Sequence, residues 1–257
     1  MTRERKVAIV TGSATGIGAA CARRLAGDGW NVVINFTKSE AEAQQTARQC
    51  RDAGADFFIC HGSVADDEAC RSMVDAAVGR WGRLDALVNN AGTTRFVPLN
   101  EMDAVVPEDF EKIISVNVRG AFQMARAAEE ALRATRGSVV NISSHSGMSG
   151  YGSSVVYAAS KGALNTLTMS LARILAPEVR VNAVCPGYVD TRWSARRLGP
   201  DDYAKFRDRV RDLSMLKHLA SAEDVADAVA WFAGGAPAVT GQLLVVDSGT
   251  HLTVNTP

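Results

Sequence analysis

Seven short apolar runs, most of them rich in β-branched residues, alternate with longer stretches of helical spacing along the 257-residue chain. Runs of this kind are typical of strands buried on both faces, and their regular alternation with helices predicts a parallel sheet with right-handed crossovers. The predicted strands are Val7 to Val10, Val32 to Ile34, Phe57 to Ile59, Leu84 to Val88, Val139 to Ile142, Val179 to Val184 and Leu243 to Val246. The predicted helices are Ala19 to Ala26, Glu40 to Ala53, Glu68 to Val78, Val118 to Leu132, Ala158 to Leu175 and Asp224 to Phe232. The sequence therefore predicts a single doubly wound α/β domain over residues 1–257, with a seven-stranded parallel sheet covered by helices on both faces.

The composition narrows the range of partners. Lys plus Arg and Asp plus Glu each number 28, so the formal net charge is zero. Because no net positive charge attracts polyanions, neither nucleic acid nor an anionic membrane surface is an expected partner. Small molecules are the expected binding partners. The five cysteines form no CxxC pair that would bind a metal, and their odd number fits a reduced, cytoplasmic setting. No run approaches the roughly 18 apolar residues that span a bilayer, so we expect a soluble protein.

Two segments carry further local signals. The sequence Ser39-Glu40-Ala41-Glu42 has the capping-box pattern, in which a hydroxyl and a carboxylate satisfy the first amides of a helix, so a capped helix is predicted after the second strand. Residues 191–216 break the alternation with a mixture of basic and acidic side chains. This segment is predicted to be an inserted substrate lid, and a solvated surface helix explains its charges equally well.

The first strand runs directly into the glycine-rich sequence Thr11-Gly12-Ser13-Ala14-Thr15-Gly16-Ile17-Gly18. Glycines here permit a tight turn and let backbone amides approach a pyrophosphate, while the following helix points its positive end at the anion. Glycine-rich turns are common in proteins. This one gains weight from its place between the first strand and the first helix, where open α/β sheets bind nucleotides.

Tyr157 and Lys161 lie four residues apart in a predicted helix, which places the phenol and the ammonium on one face with Cβ atoms about 5–6 Å apart. A cation about 5 Å away, at an effective dielectric near 20, would stabilise the phenolate by about 3 kcal/mol, or about two pKa units. The pair therefore predicts a tyrosine that exchanges protons near neutral pH. A bare Tyr and Lys pair is more often a coincidence, and Ser144, at the end of the fifth strand, is by itself an ordinary turn residue.

Together these motifs resemble the short-chain dehydrogenase/reductase family, in its shorter single-domain branch, and the resemblance covers almost the whole chain. Thr11 to Gly18 matches the family's TGxxxGIG turn, and Asn89 to Gly92 matches its NNAG element. Pro186-Gly187, with Thr191 beyond it, resembles the segment that contacts the nicotinamide end of the cofactor. The residues that match the catalytic tetrad are Asn117, Ser144, Tyr157 and Lys161. The resemblance implies a Rossmann-type fold and an oxidoreductase that interconverts ketones and secondary alcohols with a nicotinamide dinucleotide.

The resemblance also implies a role for each member of the tetrad. Tyr157 is expected to act as general acid toward a carbonyl oxygen, or as general base toward an alcohol, while Ser144 hydrogen-bonds that oxygen. Lys161 is expected to lower the pKa of the tyrosine and to bind the nicotinamide ribose. Asn117 is expected to hold a water that connects the lysine to solvent. Retention of the tetrad speaks against the alternative of a non-catalytic, dinucleotide-binding redox sensor.

The end of the second strand bears on the choice between NAD(H) and NADP(H). NAD-preferring relatives place an Asp where this chain has Phe36, and the first carboxylate beyond it is Glu40. Lys38 and the helix start at Ser39 offer a cation and amide donors to a 2′-phosphate. Against this, Thr15 stands where many NADPH-using relatives have Arg, and a solvated Lys38 is the plainer interpretation of that residue. NADP(H) is favoured over NAD(H), with an NAD-dependent alcohol dehydrogenase as the alternative.

The predicted cofactor-binding residues extend over six segments of the chain. They are Gly12, Thr15, Gly16, Ile17, Gly18, Phe36, Lys38, Ser63, Val64, Asn90, Ala91, Gly92, Tyr157, Lys161, Pro186, Gly187, Val189 and Thr191. Two positions depart from the family pattern. Ser63 stands where relatives often have the Asp that holds adenine, and Asp247-Ser248-Gly249 replaces the usual Asp-Gly-Gly, which we interpret as a harmless turn change.

The sequence restricts the substrate less closely. Many relatives with these motifs are 3-oxoacyl-(acyl-carrier-protein) reductases, which dock the carrier on two basic positions. Arg136 matches one of these positions, and Glu178 falls at the other with the wrong charge. The expected substrate is a ketone, of 3-oxoacyl type or another small carbonyl compound, or the corresponding secondary alcohol. The predicted substrate-binding residues are Ser144, His145, Tyr151, Tyr157, Tyr188 and Trp193.

Two further expectations come with these assignments. His145 follows Ser144 directly, and an ordinary loop histidine is a plainer interpretation of it than a catalytic role. The family resemblance also implies a homotetramer, in which the helices that begin near Asn117 and Ala158 pack against their copies.

Overall fold

The seven strands form one parallel sheet in the order β3-β2-β1-β4-β5-β6-β7. The computed structural model describes residues 5–191 and 200–253. The strands are β1 (Val7–Val10), β2 (Asn31–Phe36), β3 (Phe57–His61), β4 (Ala86–Asn89), β5 (Ser138–Ile142), β6 (Arg180–Pro186) and β7 (Leu243–Val246). Winding reverses between β1 and β4, which opens a crevice at the carboxyl ends of these two strands. The structure confirms the predicted seven-stranded, doubly wound fold.

Helices cover both faces of the sheet. The α-helices are α1 (Gly16–Gly27), α2 (Glu40–Asp52), α3 (Asp67–Trp81), α4 (Pro107–Ile114), α5 (Ala121–Thr135), α6 (Ser146–Ser149), α7 (Val155–Leu175), α8 (Pro200–Leu213) and α9 (Ala222–Ala230). A π-helical turn, Ser115–Gly120, joins α4 to α5, and a second one, Trp231–Gly235, follows α9. Short 3-10 turns span Met102–Ala104 and Thr250–Leu252.

Alternate side chains of each strand enter two different cores. In β1, Ala8 and Val10 belong to the core that includes residues of α1, α2 and α9, whereas Val7 and Ile9 belong to the core that includes residues of α3, α5 and α7. All four side chains are fully buried. Because both faces are covered, an inner strand needs apolar residues at consecutive positions, which explains why the strands are unbroken apolar runs in the sequence.

β4 begins two residues later than the sequence predicted, at Ala86 rather than Leu84. The carboxylate of Asp85 accepts the N–H of Val7 at 2.9 Å and pairs with Arg83 at 2.7 Å. The amide of Val7 therefore binds a side chain instead of a backbone carbonyl of the neighbouring strand. Regular pairing between β1 and β4 starts one residue further on, at Ala8 and Ala86.

The predicted capping box at the start of α2 is wrong, although the helix begins where the pattern indicated. The hydroxyl of Ser39 makes no capping hydrogen bond, and its ψ of 61° lies outside the extended conformation usual for a capping residue. A complete box occurs instead at α9. There the hydroxyl of Ser221 accepts the N–H of Asp224 at 3.1 Å, and the carboxylate of Asp224 accepts the N–H of Ser221 at 2.8 Å.

The segment predicted to be a lid includes α8, while residues 192–199 and the side chain of Trp193 lie outside the described part of the chain. Asp190, just after β6, holds α8 in place. Its carboxylate accepts the hydroxyl of Tyr203 and pairs with the guanidinium of Arg207 at 2.7 Å. The helix is therefore attached beside the carboxyl end of β6, and its role as a lid stays a prediction.

The remaining global features concern membranes, metals and thiols. Among the described helices, none is long and apolar enough to cross a membrane. Within residues 5–191 and 200–253, no group of three or more His, Cys, Asp and Glu side chains is arranged to hold a metal ion. All five cysteines are free thiols.

Candidate active site

Three glycines shape the loop between β1 and α1. Gly12 and Gly16 have φ values of +62° and +59°, in the left-handed region that favours glycine. A Cβ on Gly18 would lie 2.3 Å from the side-chain nitrogen of Asn90 and 2.5 Å from the carbonyl oxygen of Gly12. Thr15 precedes α1 and makes no side-chain capping bond. The loop thus presents bare backbone at the start of a helix, an arrangement that fits the pyrophosphate of a dinucleotide.

Residues of the loop after β4 hold the glycine loop in position. The side-chain amide of Asn90 donates to the carbonyls of Thr11 and Gly12, at 2.9 and 3.0 Å. The hydroxyl of Thr11 accepts the N–H groups of Asn90 and Ala91, both at 3.0 Å. A Cβ on Gly12 would come within 2.9 Å of the Cα of Ala91. The two loops are therefore in direct contact, and the NNAG element connects them.

Asn35 on β2 also supports the glycine loop, and the sequence analysis gave it no role. Its side-chain oxygen accepts the N–H of Gly12 at 2.9 Å, and its amide donates to the carbonyls of Cys60 and Gly62 at 3.2 and 3.0 Å. The residue is 2% exposed. A signal was present in the sequence, because a buried amide within an apolar strand requires hydrogen-bonding partners.

The end of β2, beside Asn35, carries the residues predicted to select the cofactor. The ring of Phe36 is buried and lies 5.1 Å from the ring of His61. The Nε2 atom of His61 is 3.1 Å from the carbonyl of Thr37. Lys38 is exposed and makes no ion pair with a described residue. No carboxylate occupies position 36, where a ribose 2′-hydroxyl would otherwise find its acceptor.

Val64, predicted to lie near adenine, is fixed between β3 and α5. Its carbonyl accepts the side-chain amide of Gln123 at 2.9 Å. A Cβ on Gly120 would lie only 2.6 Å from the Cγ2 of Val64. Gly120 ends the π-helical turn that carries Asn117, and such turns frequently occur at functional sites. The neighbouring Ser63 accepts the N–H of Ala65 through its hydroxyl, at 3.2 Å.

Asn117 is 1% exposed and connects the loop after β4 to α7. Its side-chain oxygen accepts the N–H of Thr93 at 2.8 Å, and its amide donates to the carbonyl of Thr93 and to the hydroxyl of Ser160, both at 3.0 Å. A Cβ on Gly92 would lie 3.6 Å from the oxygen of Asn117 and 3.8 Å from the Nζ of Lys161. The structure therefore brings Asn117 close to Lys161, and the role of Asn117 in holding a water stays a prediction.

The side chains of Ser144 and Tyr157 are hydrogen-bonded to each other. Ser144 follows β5, and its hydroxyl oxygen also accepts the N–H of Ser146 at 3.1 Å. Tyr157 lies in the first turn of α7, where the hydroxyl of Ser154 caps the helix by accepting the N–H of Tyr157 at 3.2 Å. Burial raises the pKa of Tyr157 to about 12, and the hydrogen bond from Ser144 opposes that rise. The phenol is therefore protonated at neutral pH.

Lys161 is 4% exposed and lies beside the tyrosine. Its ammonium donates to the carbonyl of Ile142 at 2.7 Å and is 5.7 Å from the centre of the Tyr157 ring. Burial lowers the pKa of Lys161 to about 8. Burial disfavours phenolate and ammonium alike and is the largest cause of both shifts, and the expected lowering of the tyrosine pKa by the ammonium stays a prediction.

The segment after β6, predicted to contact the nicotinamide, extends beside the glycine loop. The N–H of Gly187 donates to the carbonyl of Val246 at 3.1 Å, and a Cβ on Gly187 would lie 2.5 Å from the Cβ of Asp247. The methyl group of Thr191 lies 3.8 Å from where a Cβ on Gly16 would be. The other two predicted residues of this segment, both buried, are Pro186 and Val189.

Two of the predicted substrate-binding residues lie beside the tetrad and α8. His145 directly follows Ser144, and its N–H donates to the carbonyl of Pro186 at 2.9 Å, which joins the ends of β5 and β6. The ring of Tyr188 packs edge-on against Phe206 of α8, with ring centres 5.0 Å apart. These contacts place both residues where the end of the sheet meets α8.

Tyr151 is placed less favourably than the sequence predicted. Its side chain is 76% exposed, and its backbone N–H donates to the hydroxyl of Ser149. No hydrogen bond or ring contact among the described residues joins Tyr151 to the tetrad. A role in substrate binding stays a prediction for this residue.

Comparisons with known proteins agree with this geometry. The chain matches a family model described as "Enoyl-(Acyl carrier protein) reductase" over residues 12–251. It is 42% identical over 250 residues to "Granaticin polyketide synthase putative ketoacyl reductase 2" of Streptomyces violaceoruber, with 97% of each chain covered. It is 32% identical over 250 residues to the 3-oxoacyl-(acyl-carrier-protein) reductase FabG of Staphylococcus aureus, with 96% of this chain and 98% of that one covered. A solved structure of a "putative short-chain dehydrogenase/reductase" from Burkholderia xenovorans is 41% identical, with a TM-score of 0.90 over 98% of this chain and 100% of the other.

The matches extend over nearly the whole chain, as do the motifs. The chain belongs to the short-chain dehydrogenase/reductase family. It is an oxidoreductase that acts on carbonyl or alcohol groups with a nicotinamide dinucleotide, as the motifs predicted. The bare glycine loop at the start of α1 fits the pyrophosphate of this cofactor.

Substituting the most crowded glycine of the loop should weaken cofactor binding. In Gly18→Ala the new methyl group would meet the side chain of Asn90 and the carbonyl of Gly12, so the loops after β1 and β4 must separate. We expect the dissociation constant for NADPH or NADH, measured by fluorescence titration, to rise at least tenfold. Gly79→Ala in α3 is the matched control, because nothing lies within 4 Å of a Cβ there. Unchanged binding in Gly18→Ala would contradict this account of the loop.

Proposed function

We propose that this protein is an NADPH-dependent reductase that converts a ketone to a secondary alcohol. The observation that carries the proposal is the hydrogen-bonded pair Ser144 and Tyr157, with the buried Lys161 beside it, at the same end of the sheet as the glycine loop. A phenol that is protonated at neutral pH can act as the general acid of a reduction. A non-catalytic redox sensor would have no use for this arrangement.

The tetrad residues account for the movement of the proton. A nicotinamide dinucleotide held on the glycine loop would supply the hydride for the carbonyl carbon. As the electrons of the C=O π bond move to the oxygen, the phenol of Tyr157 transfers its proton to that oxygen and becomes a phenolate. The hydroxyl of Ser144 donates a hydrogen bond to the same oxygen and stabilises the developing alkoxide. The product is the alcohol.

Lys161 then returns a proton to the phenolate of Tyr157. Its pKa is about 8 and that of the phenol is about 12, so the ammonium is the stronger acid and favours return of a proton to the buried phenolate. Asn117 lies beside Lys161 and would hold the water through which the lysine is reprotonated from solvent. In this proposal Lys161 acts mainly as a proton donor to the phenolate rather than as a charge that acidifies the resting phenol.

Removing the phenolic hydroxyl tests the proposal directly. Tyr157→Phe should lower kcat for ketone reduction by about 10²–10⁴-fold, because general acid catalysis contributes about that much. NADPH affinity, measured by fluorescence, should change only a few-fold, since the glycine loop is untouched. A panel of small ketones and secondary alcohols supplies the substrates. If the wild type converts none of them, or if Tyr157→Phe retains its rate, the proposed function is wrong.

The preference for NADP(H) is proposed from the end of β2. An aromatic ring at position 36 leaves no carboxylate to repel a 2′-phosphate, and Lys38 is exposed beside it. Ser39 does not cap α2, so the first amides of that helix are not satisfied by its hydroxyl and remain suited to an anion. These observations favour NADP(H), and the NAD-dependent alcohol dehydrogenase is the alternative that binding measurements decide.

We expect the wild type to bind NADPH about tenfold more tightly than NADH in a fluorescence titration. Lys38→Ala should reduce that ratio toward one with little change for NADH, because only the phosphate contact is lost. Phe36→Asp should reverse the ratio, since a carboxylate accepts the ribose hydroxyls and repels the phosphate. Lys112→Ala, another exposed lysine, is the matched control and should keep the wild-type ratio. Tighter NADH binding by the wild type would contradict the preference.

For the substrate we propose a ketone of 3-oxoacyl type or another small carbonyl compound. The names of two relatives, a ketoacyl reductase and a 3-oxoacyl-(acyl-carrier-protein) reductase, support this class. A substrate bound to an acyl carrier protein is less well supported than a free one. Glu178, at the second docking position, pairs with Arg133 at 2.5 Å, so the position carries an acidic group where a basic one is required.

We also propose a homotetramer. Large apolar side chains are exposed on α4, α5 and α7, namely Phe110, Phe122, Val155, Met169 and Ile174. Further exposed apolar side chains are Leu244 on the edge strand β7 and Trp231 in the turn after α9. Two self-complementary surfaces on one chain are what a tetramer with dihedral symmetry needs.

Light scattering after size-exclusion chromatography measures the oligomeric state of the protein in solution. The mass should be four times the 27.3 kDa of one chain. Phe122→Glu should lower it, because a charge would be buried in the interface formed by α5. Leu213→Glu, at another exposed apolar residue outside both surfaces, should leave the mass unchanged. A monomeric wild type would exclude the tetramer.

A further inference from the structure

The turn after β7 carries an aspartate and histidine pair that the mechanism does not use. The Nδ1 atom of His251 lies 2.9 Å from both carboxylate oxygens of Asp247. The same carboxylate accepts the N–H groups of Gly249 and His251 at 2.9 and 2.8 Å. Ser248 adopts a φ of +56°, in the left-handed region that is uncommon for a residue with a side chain. The interpretation of this turn as a harmless change is therefore incomplete, because it forms an ordered side-chain arrangement.

The turn is held between the loop after β6 and the end of α8. On one side, Asp247 lies so close to Gly187 that a Cβ on the glycine would come within 2.5 Å of its own Cβ. On the other side, the N–H of Leu216 donates to the carbonyl of Ser248 at 3.2 Å, and the side chain of Met215 packs on Gly249. The pair is thus placed between the segment predicted to contact the nicotinamide and the base of α8.

His251 also lies beside the loop that carries the catalytic serine. Its ring centre is 6.1 Å from that of His145, and His145 directly follows Ser144. The side chain of His251 is 37% exposed, whereas that of Asp247 is 3% exposed. The carboxylate is therefore buried behind the imidazole, and the imidazole is the member of the pair that a ligand can reach.

The buried carboxylate determines which nitrogen of His251 carries the proton. A carboxylate only accepts hydrogen bonds, so Nδ1 must be the donor, and Nε2 of the neutral ring is then an acceptor. No hydrogen bond from a described residue reaches this Nε2. A hydroxyl group can donate to the neutral ring and can also accept from the protonated ring, whereas an ether oxygen can only accept. The nitrogen is therefore suited to a hydroxyl ligand.

We propose that His251, oriented by Asp247, binds a hydroxyl group that the substrate carries in addition to the carbonyl reduced at Tyr157. This inference rests on the proposed function of the tetrad and narrows its substrate class to hydroxylated ketones, whose reduction gives a compound with two hydroxyl groups. Asp247 is the positioning residue, and His251 is the specificity-determining residue.

A matched set of substrates tests the inference. It consists of hydroxyphenyl ketones with the hydroxyl at each ring position, each paired with its methyl ether. For at least one isomer, the wild type should show kcat/KM about tenfold higher for the hydroxy compound than for the ether, mostly through KM. This is about the discrimination that one hydrogen bond between substrate and protein supports.

Variants identify the residue responsible. His251→Phe keeps a planar ring without nitrogen, and it should reduce the discrimination ratio to about one. His251→Gln, whose amide reaches the region of Nε2, should restore part of the ratio. His218→Phe is the matched control, because His218 forms a similar pair with Asp224 at 2.7 Å, at the start of α9. It should keep the full ratio.

Spectroscopy supplies a readout that does not depend on turnover. The chain has four histidines, and nitrogen NMR of histidine-labelled protein should show one neutral ring protonated at Nδ1 that disappears in His251→Gln. Asp247→Ala, which removes the acceptor, should abolish this preference for the tautomer protonated at Nδ1. Adding a hydroxyphenyl ketone should shift the Nε2 signal, and adding its methyl ether should not.

The outcomes separate this inference from the proposed function. A wild-type ratio near one for every isomer, or a ratio unchanged in His251→Phe, would overturn it while leaving ketone reduction intact. If the wild type reduces no ketone, the proposed function fails, and the NMR titration then decides whether His251 binds a hydroxyl. If His251→Phe does not fold, His251→Gln and the NMR titration decide instead.

Discussion

The contact between the loops after β1 and β4 is the constraint on which the rest of the site depends. The strand order places these two strands side by side although they are separated by two other strands in sequence. Asn90 then donates two hydrogen bonds to Thr11 across the gap, from its backbone N–H to the hydroxyl and from its side-chain amide to the carbonyl. This contact fixes the glycine loop against the start of α1 and also fixes the beginning of the segment that leads to Asn117. The position of the glycine loop and that of the segment leading to Asn117 therefore depend on one connection.

Burial, more than attraction between neighbouring charges, controls the protonation of the site. The pKa of Tyr157 is raised and that of Lys161 is lowered, and removal from water is the largest cause of both shifts. Burial moves the two pKa values apart, from nearly equal ordinary values to about 12 for the phenol and about 8 for the ammonium, so transfer of a proton from Lys161 to a phenolate at Tyr157 is favoured more strongly than between the same groups in water. The protein achieves this by enclosing them, with the ammonium turned toward a backbone carbonyl of β5.

The fold was predictable because strands buried on both faces leave unbroken apolar runs, and the four tetrad positions could be proposed because their residue types and spacing are specific. The sequence did not reveal the hydrogen-bonding and packing partners that lie far apart along the chain. Asn35 binds Gly12 and Gly62, and Asp247 packs on Gly187, contacts that exist only once the sheet has formed. The capping box at Ser39 failed for the opposite reason. A local pattern indicated the start of the helix correctly, but the backbone conformation adopted there does not form the capping bond.

The close approach of Gly120 to Val64 has a consequence for how this enzyme can change over evolutionary time. The glycine belongs to the turn that carries Asn117, and the valine belongs to the region predicted to bind adenine. Any side chain at position 120 must push the two regions apart together. A substitution at this position would therefore alter both regions in one step rather than one at a time.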